Sequence, residues 1–261
     1  MLLAAYVSAL VFAAGACVGS FVCCACSRRK SGESAIFGRS RCDSCGKTLS
    51  AVELVPIFGY IFLRGRCRAC GAKIDPLCPV SEASLAAGYL AALLKFGLGA
   101  EALAAAALYT VLLAESLCDV YTGEVPDWLH IFGAAVFFAA AAFEADPVGR
   151  ILNGLLGALL CGLGMLLISL IADRIMKCET LGGADIKLFA LLGLFFGPAK
   201  ALLTVILACA VGLITAAVKK VGRREPFAFI PCISAAAFAV SLFGDFIISR
   251  YLGLFGLSAA V

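Results

Sequence analysis

Long apolar runs dominate this chain and limit the folds that are open to it. Of its 261 residues 63% are hydrophobic, and the mean hydropathy is +1.05, whereas a soluble domain is about 45–50% apolar. A helix of roughly 20 apolar residues is long enough to cross a bilayer. The pattern therefore predicts an all-α, polytopic membrane helix bundle and argues against an unusually apolar soluble domain.

Eight apolar runs are candidates for membrane spans. They are Leu2–Cys26, Leu77–Phe96, Glu101–Cys118, Val125–Phe143, Ile151–Ile171, Ile186–Phe196, Ala201–Ala217 and Phe227–Ile248. The sixth run is shorter than a full span. It either extends backward through the preceding glycines or forms a partial span shielded by the rest of the protein.

The positions of Lys and Arg orient these spans. With the N-terminus outside, 17 of the 21 Lys and Arg residues lie on the cytoplasmic side, as the positive-inside rule expects. Without the sixth span the basic cluster at 219–224 would lie outside, so we expect about eight spans. The first run is expected to be a retained span, because its basic residues follow it. The predicted parts are 1–26 (first span), 27–76 (a small cytoplasmic insertion) and 77–261 (a membrane-embedded bundle).

The cytoplasmic insertion carries two Cys-x-x-Cys-Gly units. Cys42 and Cys45 form the first pair, and Cys67 and Cys70 form the second after 21 intervening residues. Two such pairs are typical of a structural zinc site with four thiolate ligands. Free thiols or a redox-active pair are the alternatives. Cytosolic thiols stay reduced, which favours zinc. We find no internal repeat in the chain.

Three further cysteines, Cys23, Cys24 and Cys26, lie at the end of the first span. Cysteine packs as a small apolar residue, so we expect these thiols to fill space at the membrane edge. Acylation sites or a second metal site are the other interpretations.

Two aspartates are predicted to lie at the cytoplasmic ends of different spans. Asp119 ends the third span, and Asp185 begins the sixth after Gly182 and Gly183. Two neighbouring carboxylates share one proton, as in aspartic proteases. The helix dipole favours charge on Asp185, at a helix N-terminus, and the proton on Asp119, at a helix C-terminus. Alternatively, Asp185 is an N-cap residue and Asp119 a polar residue marking a span end.

Other ionisable residues compete for a catalytic role. Asp127 follows Pro126 where the fourth span opens, and Glu115 lies one turn before Asp119. Glu124 and Asp173 are further candidates. His130 is the only histidine and is expected to be a packed interfacial residue, which leaves no credible Ser-His arrangement.

Several motifs, in order along most of the chain, resemble the type IV prepilin leader peptidase/N-methyltransferase family. They are Gly19-Ser-Phe21, Ser40–Gly46 with its first Cys pair, Glu53-Leu-Val-Pro56, Leu63–Gly71 with the second Cys pair, Pro79–Glu82, Asp119 with Val125-Pro-Asp127, Gly182-Gly-Ala-Asp-Ile-Lys-Leu188 and Pro226–Pro231. Each motif alone is weak evidence, and their shared order is specific. Ala184 stands where the family motif has a second Gly, and Cys23–Cys26 stands where the family carries Asn and Pro.

The resemblance implies an aspartic endopeptidase with Asp119 and Asp185 as its catalytic pair, supported by Gly182, Gly183, Lys187 and Asp127. It implies prepilin or pseudopilin substrates of type IV pili or type II secretion, cleaved at the cytoplasmic face of the bacterial inner membrane. It also implies methylation of the new N-terminus by S-adenosylmethionine. The expected partners are such a substrate and the lipid bilayer, without nucleic acid.

Four other functions are alternatives to this one. A membrane peptidase without the methyltransferase activity is one alternative. A preflagellin-type peptidase is the nearest rival among enzymes, and the predicted zinc module argues against it. A transporter or channel predicts charges deep within spans, where Asp245 is the main example. A membrane scaffold that recruits a partner through its zinc module gives Gly182–Asp185 no role.

Overall fold

The protein is helical throughout most of its length. The computed structural model describes residues 2–32, 34, 38–178, 180–220 and 227–254, and no strand is assigned among them. The helices are α1 (Leu2–Lys30), α2 (Phe58–Phe62), α3 (Leu77–Phe96), α4 (Ala100–Thr122), α5 (Asp127–Ala141), α6 (Pro147–Met176), α7 (Gly183–Lys219) and α8 (Ile230–Leu254). The predicted all-α class is confirmed.

Six of these helices are long and apolar enough to cross a membrane, counting only the part of the chain that the structure describes. They are α1, α3, α4, α6, α7 and α8. Helix α5 is apolar but has only 15 residues. It is two residues shorter than the predicted fourth run at each end. At the start, the extended backbone of Pro126 delays the helix until Asp127.

Helix α7 is two helical arms joined at Gly197, where the backbone leaves the helical region with φ 70° and ψ 177°. Pro198 then starts the second arm, a favourable first helical position for proline. The ring of Phe229 lies 6.5 Å from that of Phe189 and also packs against Gly212. Along a straight helix, residues 189 and 212 would be about 35 Å apart. The chain therefore reverses direction at Gly197.

This reversal accounts for two of the predicted runs, 186–196 and 201–217, which form the two arms of α7. Helix α8 then runs antiparallel to the second arm. Phe229, just before α8, lies against Gly212, while near the other end of α8 Asp245 pairs with Lys200 at 2.5 Å. The prediction of about eight apolar helical segments agrees with six long helices, the short α5 and the divided α7.

The chain forms two compact units, Met1–Thr122 and Gly123–Val261. In the first unit α1 packs against α3 at two glycines. A Cβ atom at Gly15 would lie 2.7 Å from the carbonyl oxygen of Leu85, and one at Gly19 would lie 2.6 Å from that of Ser81. Small residues of this kind let helix backbones approach closely inside a membrane.

In the second unit α6 crosses the first arm of α7, and glycines again let the two backbones approach closely. A Cβ atom at Gly157 would collide with the backbone of Gly193 and Gly197, and one at Gly193 would collide with that of Gly157. The side chain of Arg150 donates a hydrogen bond to the carbonyl oxygen of Phe195 at 3.0 Å, near the turn of α7. These contacts fix the helix whose first turn carries Asp185.

Replacing Gly157 with Ala should destabilise the second unit. Neither backbone can yield without separating α6 from α7, so we expect a loss of about 1–3 kcal/mol, as for overpacked cores. Gly164→Ala is the matched control, since a Cβ at this position of α6 would meet no atom within 4 Å, and it should be neutral or slightly stabilising. Thermal unfolding in detergent compares the two variants, and equal melting temperatures would contradict the close helix crossing.

Candidate active site and metal centre

The four cysteines of the insertion lie together. Their Sγ atoms are all within 4.8 Å of one another, and those of Cys42 and Cys70 are 3.8 Å apart. A tetrahedral ion with metal–sulfur bonds of about 2.3 Å holds its ligands roughly 3.8 Å from one another. Cysteine thiolate is also a donor that tetrahedrally coordinated metals such as zinc prefer. The residues therefore fit a metal ion, and four protein ligands leave no open position for chemistry.

Each pair of cysteines is presented by the same turn. The N–H of Cys42 donates to the carbonyl of Lys47 and that of Gly46 donates to Cys42, at 2.9 and 2.8 Å. The second pair repeats these bonds, from Cys67 to Ala72 and from Gly71 to Cys67, at 2.8 and 2.9 Å. Both glycines have positive φ, near 70°, which glycine adopts without strain.

The two turns form a short internal repeat, which corrects the expectation that the chain has none. One isolated antiparallel bridge flanks each turn, at Arg41–Thr48 and at Arg66–Lys73. Backbone N–H groups of Cys70 and Ala69 lower the pKa of the Cys67 thiol to about 6, which favours the thiolate that binds metal. The shared pattern Arg-Cys-x-x-Cys-Gly is visible in the sequence but covers too few residues to stand out as a repeat.

Two glutamates shape the rest of the insertion. Glu53 accepts hydrogen bonds from the N–H and the hydroxyl of Ser50 at 2.8 and 2.9 Å, and these bonds lower its pKa. Glu82 on α3 accepts the N–H of Ile57 at 2.6 Å. Ile57 has a φ of 65°, an unfavourable conformation for a β-branched residue. The sequence motifs contained both glutamates but gave no role to either.

Asp119 lies in the last turn of α4 and is half-buried. Its neighbours fix that turn within the first unit. The Sγ of Cys118 is 3.5 Å from that of Cys26 on α1, and the hydroxyl of Tyr121 donates to Asp75 at 2.8 Å. Asp75 and Tyr121 therefore connect the end of α4 to the end of the insertion, and the sequence carried no signal for this contact.

Cys23 and Cys26 are packed inside the first unit, with 1% and 6% of their surfaces exposed. The Sγ of Cys23 is 3.4 Å from that of Cys78 on α3. Among the described residues, the only group arranged to hold a metal is the four-cysteine cluster of the insertion. The packing interpretation of these thiols is therefore favoured, and the second metal site is not supported.

Asp185 is the third residue of α7, two positions after the helix begins at Gly183. Gly182, and not Asp185, is the N-cap. The Asp185 carboxylate folds back over Gly182, since a Cβ there would lie 3.3 Å from Oδ2. Ala184 is helical and is absent from the residues with positive φ. The substitution of Ala for the family's second Gly therefore costs no backbone strain.

The loop before α7 is held by Asp173. Its Oδ1 accepts the N–H and the hydroxyl of Thr180 at 2.7 and 2.6 Å. Gly182 and Gly183 are both exposed, and a Cβ at Gly183 would meet no atom within 4 Å. Thr180, held by Asp173, is thus followed by an open glycine pair directly before Asp185.

Lys187 and Asp127 are brought together in the second unit. The Lys187 Nζ lies 2.6 Å from Oδ1 of Asp127, with side-chain exposures of 52% and 68%. This pair links the start of α5 to the start of α7. An exposed pair adds little stability, so its importance should lie in holding the first turn of α7.

Since the resemblance implies a catalytic Asp185, breaking this pair should lower the rate of substrate cleavage and leave stability nearly unchanged. A small misplacement of a reacting group can cost up to about a hundredfold in rate, so we expect Lys187→Met to lose about tenfold or more. The charge-swapped variant, Asp127→Lys with Lys187→Asp, should recover part of that loss. Cleavage rates and melting temperatures separate the two effects. A swap as slow as Lys187→Met would refute the positioning role.

The remaining candidates have other environments. Glu115 is fully buried in α4, with 0% of its surface exposed, and Glu124 is exposed. His130 is half-buried on α5. The structure thus brings together the four cysteines, and Lys187 with Asp127. Asp119 lies in the first unit and Asp185 in the second, so their pairing stays a prediction.

Family models match most of the chain. The Bacterial Peptidase A24 N-terminal domain matches residues 13–96, and the Type IV leader peptidase family matches residues 106–217. The first match covers α1 from residue 13, the insertion and α3, and the second covers most of the two helices that carry Asp119 and Asp185. No solved structure matches.

Curated relatives agree with these models. A prepilin leader peptidase/N-methyltransferase of Bacillus subtilis is 32% identical over 247 residues, covering 93% of this chain and 97% of the relative. One of Burkholderia pseudomallei is 34% identical over 214 residues, covering 79% and 67%. A type 4 prepilin-like proteins leader peptide-processing enzyme of Escherichia coli is 30% identical over 203 residues, covering 77% and 74%. With this identity extending over almost the whole length of the Bacillus relative, the chain belongs to the type IV leader peptidase family.

Proposed function

We propose that this protein is a membrane aspartic endopeptidase that removes the short basic leader of prepilins or pseudopilins and then methylates the new N-terminus. The main support for the proposal is the position of each aspartate in its helix. Asp119 and Asp185 are half-buried in the terminal turns of two apolar helices, within the segment that matches the leader peptidase family. The family names given to the relatives support the substrate class and the methyl transfer.

In the proposed mechanism the Asp185 carboxylate takes a proton from water, and the water oxygen attacks the scissile carbonyl carbon. The Asp119 carboxyl group hydrogen-bonds the carbonyl oxygen and gives it a proton as the tetrahedral intermediate forms. The amide nitrogen then takes the proton that Asp185 gained, Asp119 takes back a proton from one hydroxyl of the intermediate, and the C–N bond breaks. This leaves a carboxyl group on the leader and a free amine on the pilin. The position of Asp185 in the first turn of α7 supports its ionised role, since a helix N-terminus favours negative charge.

The protonation states can be measured without turnover. Isotope-edited infrared spectroscopy of the carboxyl groups, with Asp119→Asn and Asp185→Asn for assignment, should show a protonated Asp119 and an ionised Asp185 in the free enzyme. The reverse assignment would exchange the acid and base roles. Two carboxyl groups that share a proton titrate as one unit, so each spectrum is compared over a range of pH.

The distribution of positive charge supports a cytoplasmic active site. Arg28, Arg29 and Lys30 form the last turn of α1, and the insertion that follows is basic. The positive-inside rule places such segments in the cytoplasm. A prepilin lying in the inner membrane, with its basic leader on the same side, would present its cleavage point there.

Zinc is the proposed occupant of the four-cysteine cluster, and S-adenosylmethionine is the proposed methyl donor. For the donor, the first unit contains a cavity of about 800 Å³ beside the insertion, lined in part by Asp75, Glu82 and Tyr121. Its volume accommodates a nucleoside-sized ligand, and its lining carries basic side chains, among them Arg28, Lys30 and Lys73, as well as carboxylates. Zinc would fold the insertion around this cavity and take no part in the chemistry.

Cleavage in a defined membrane tests the function. The purified protein in liposomes should cut a prepilin after its leader, and the processed pilin should gain the mass of one methyl group only when S-adenosylmethionine is added. Cleavage without methylation would support the peptidase lacking methyltransferase activity. Absence of both, with a control relative active on the same prepilin, would refute the proposal for this substrate class.

A further inference from the structure

The insertion exposes large apolar side chains in an unusual concentration. Val52, Phe58, Ile61 and Phe62 have 70%, 59%, 63% and 79% of their surfaces exposed. Leu54 and Val55 add to the same stretch. We name residues 52–62 the apolar segment. Contiguous exposed apolar surface outside a membrane span indicates a binding surface, and no described residue of the first unit covers these side chains.

The apolar segment lies beside a membrane span. The N–H of Ile57 donates to the Glu82 carboxylate at 2.6 Å, and Glu82 is the sixth residue of α3 (Leu77–Phe96). This contact is about 7.5 Å inside the start of the helix, at a rise of about 1.5 Å per residue. At the same depth the hydroxyl of Ser81 donates to the carbonyl oxygen of Gly19 on α1. The anchor of the segment is therefore below the ends of the spans.

That depth matches a lipid interface. Apolar faces of interfacial helices enter the boundary between headgroups and acyl chains by about 5–10 Å. Phe58, Ile61 and Phe62 are carried by α2, the short helix that begins directly after the anchored Ile57. Burying such side chains in lipid releases the free energy that keeps apolar surface out of water.

Positive charge follows the apolar segment. Arg64, Arg66 and Arg68 are all exposed, and no acidic residue lies between Glu53 and Asp75. Basic residues beside an inserted apolar patch bind anionic lipid headgroups. The sequence of apolar and then basic residues is therefore complementary to an anionic bilayer surface.

We infer that the apolar segment inserts into the bilayer interface alongside α3 and seats the four-cysteine module on the membrane, with anionic phospholipid as the partner. The module is thus a membrane-surface element and not the fully soluble insertion that its composition suggests. The inference rests on contacts within the first unit and is independent of the peptidase activity.

Fluorescence quenching can measure this depth. Trp128 is the only tryptophan, so Phe62→Trp in a Trp128→Phe background reports on the apolar segment alone. Ser44→Trp in the same background is the matched control, because Ser44 lies in the exposed turn of the first cysteine pair. The full-length, metal-loaded proteins are placed in liposomes of phosphatidylethanolamine and phosphatidylglycerol with brominated acyl chains.

Phe62→Trp should emit at shorter wavelength than Ser44→Trp, be quenched by the brominated lipid and be protected from aqueous iodide. Ser44→Trp should show the opposite pattern. Iodide quenching of Phe62→Trp equal to that of the control would overturn the inference. A second copy of the chain would be the partner if lipid quenching is absent and protection from iodide appears only at high protein density. That result would overturn the inference. Protection that appears only when a prepilin is added would overturn it in favour of the substrate.

The basic residues give a second measurement. Arg64→Gln with Arg68→Gln should weaken lipid quenching of Phe62→Trp most in membranes rich in phosphatidylglycerol, so that the dependence on anionic lipid is largely lost. Arg39→Gln, an exposed arginine before the first cysteine pair, should keep that dependence. Unchanged metal content establishes that the module is folded in every variant. Equal lipid dependence in both would refute the role of the arginines.

Discussion

Asp185→Asn and Asp119→Asn should each abolish prepilin cleavage, with a fall of about 10³-fold or more. Each variant keeps the shape of the side chain but removes the charge or the proton that the pair must exchange. General acid–base groups contribute about 10²–10⁴-fold each, and a shared-proton pair loses both functions when one member is a neutral amide. Cleavage of a prepilin in liposomes, followed over time, measures the loss.

The double variant gives a sharper test than either single one. Residues that act as one unit have non-additive effects, so the double variant should be no slower than the slower single variant. Glu101→Gln is the matched control, since it lies in the first turn of α4, at the opposite end of the helix from Asp119. It should cleave normally. Substantial cleavage by either single aspartate variant, in protein that is folded and metal-loaded, would remove that residue from the mechanism.

Loss of the metal ligands should unfold the insertion while the spans remain helical. Beyond the four-cysteine cluster, the insertion has few buried side chains: Cys67 and Gly59 are the buried residues between 38 and 76. Small metal domains with so little core depend on the bound ion for most of their folding free energy. Cys42→Ser with Cys67→Ser should therefore lose one equivalent of zinc and become sensitive to protease between residues 38 and 76.

Elemental analysis and limited proteolysis measure these two outcomes. Cys17→Ser with Cys209→Ser is the control, because both residues are exposed cysteines outside the insertion. This variant should keep its metal and its protease resistance. A double Cys42/Cys67 variant that resists protease as the wild type does would show that the module folds without its metal. If the Cys42/Cys67 variant keeps its cleavage activity while its insertion is unfolded, zinc is dispensable for the peptidase reaction.

Much of the architecture follows from simple sequence patterns. Hydropathy predicted the long helices because each span must bury about 20 residues in lipid. The positions of Lys and Arg predicted that the short sixth run is a separate helical segment. The reversal at Gly197 agrees with this prediction, because it makes residues 186–196 an arm of their own. The exact form of that reversal was not predictable, since a glycine followed by proline also occurs in ordinary loops. Only the contacts of Phe229 establish its direction.

The candidate site likewise has some features that the sequence predicted and others that it did not. The cysteine spacing predicted the cluster because four thiolates around one ion require two tight turns. The anchoring of Ile57 by Glu82, and of Asp75 by Tyr121, joins residues distant in sequence and carries no local pattern. Lys187 and Asp127 belonged to separate motifs, and only the packing of α5 beside α7 makes them partners.

The reversal within α7 has a consequence for water. The first arm, residues 183–196, is about 21 Å long, whereas the second arm, 198–219, is about 33 Å long. Both begin at the same turn, so Asp185, about 18 Å from Gly197, lies about 15 Å short of the level that Lys219 reaches, about 33 Å from Gly197. A carboxylate set back in this way from the end of the neighbouring arm needs a route to water. The glycine pair at 182–183, exposed and free of Cβ atoms, leaves an opening through which the water and the peptide bond of the proposed reaction could both approach Asp185.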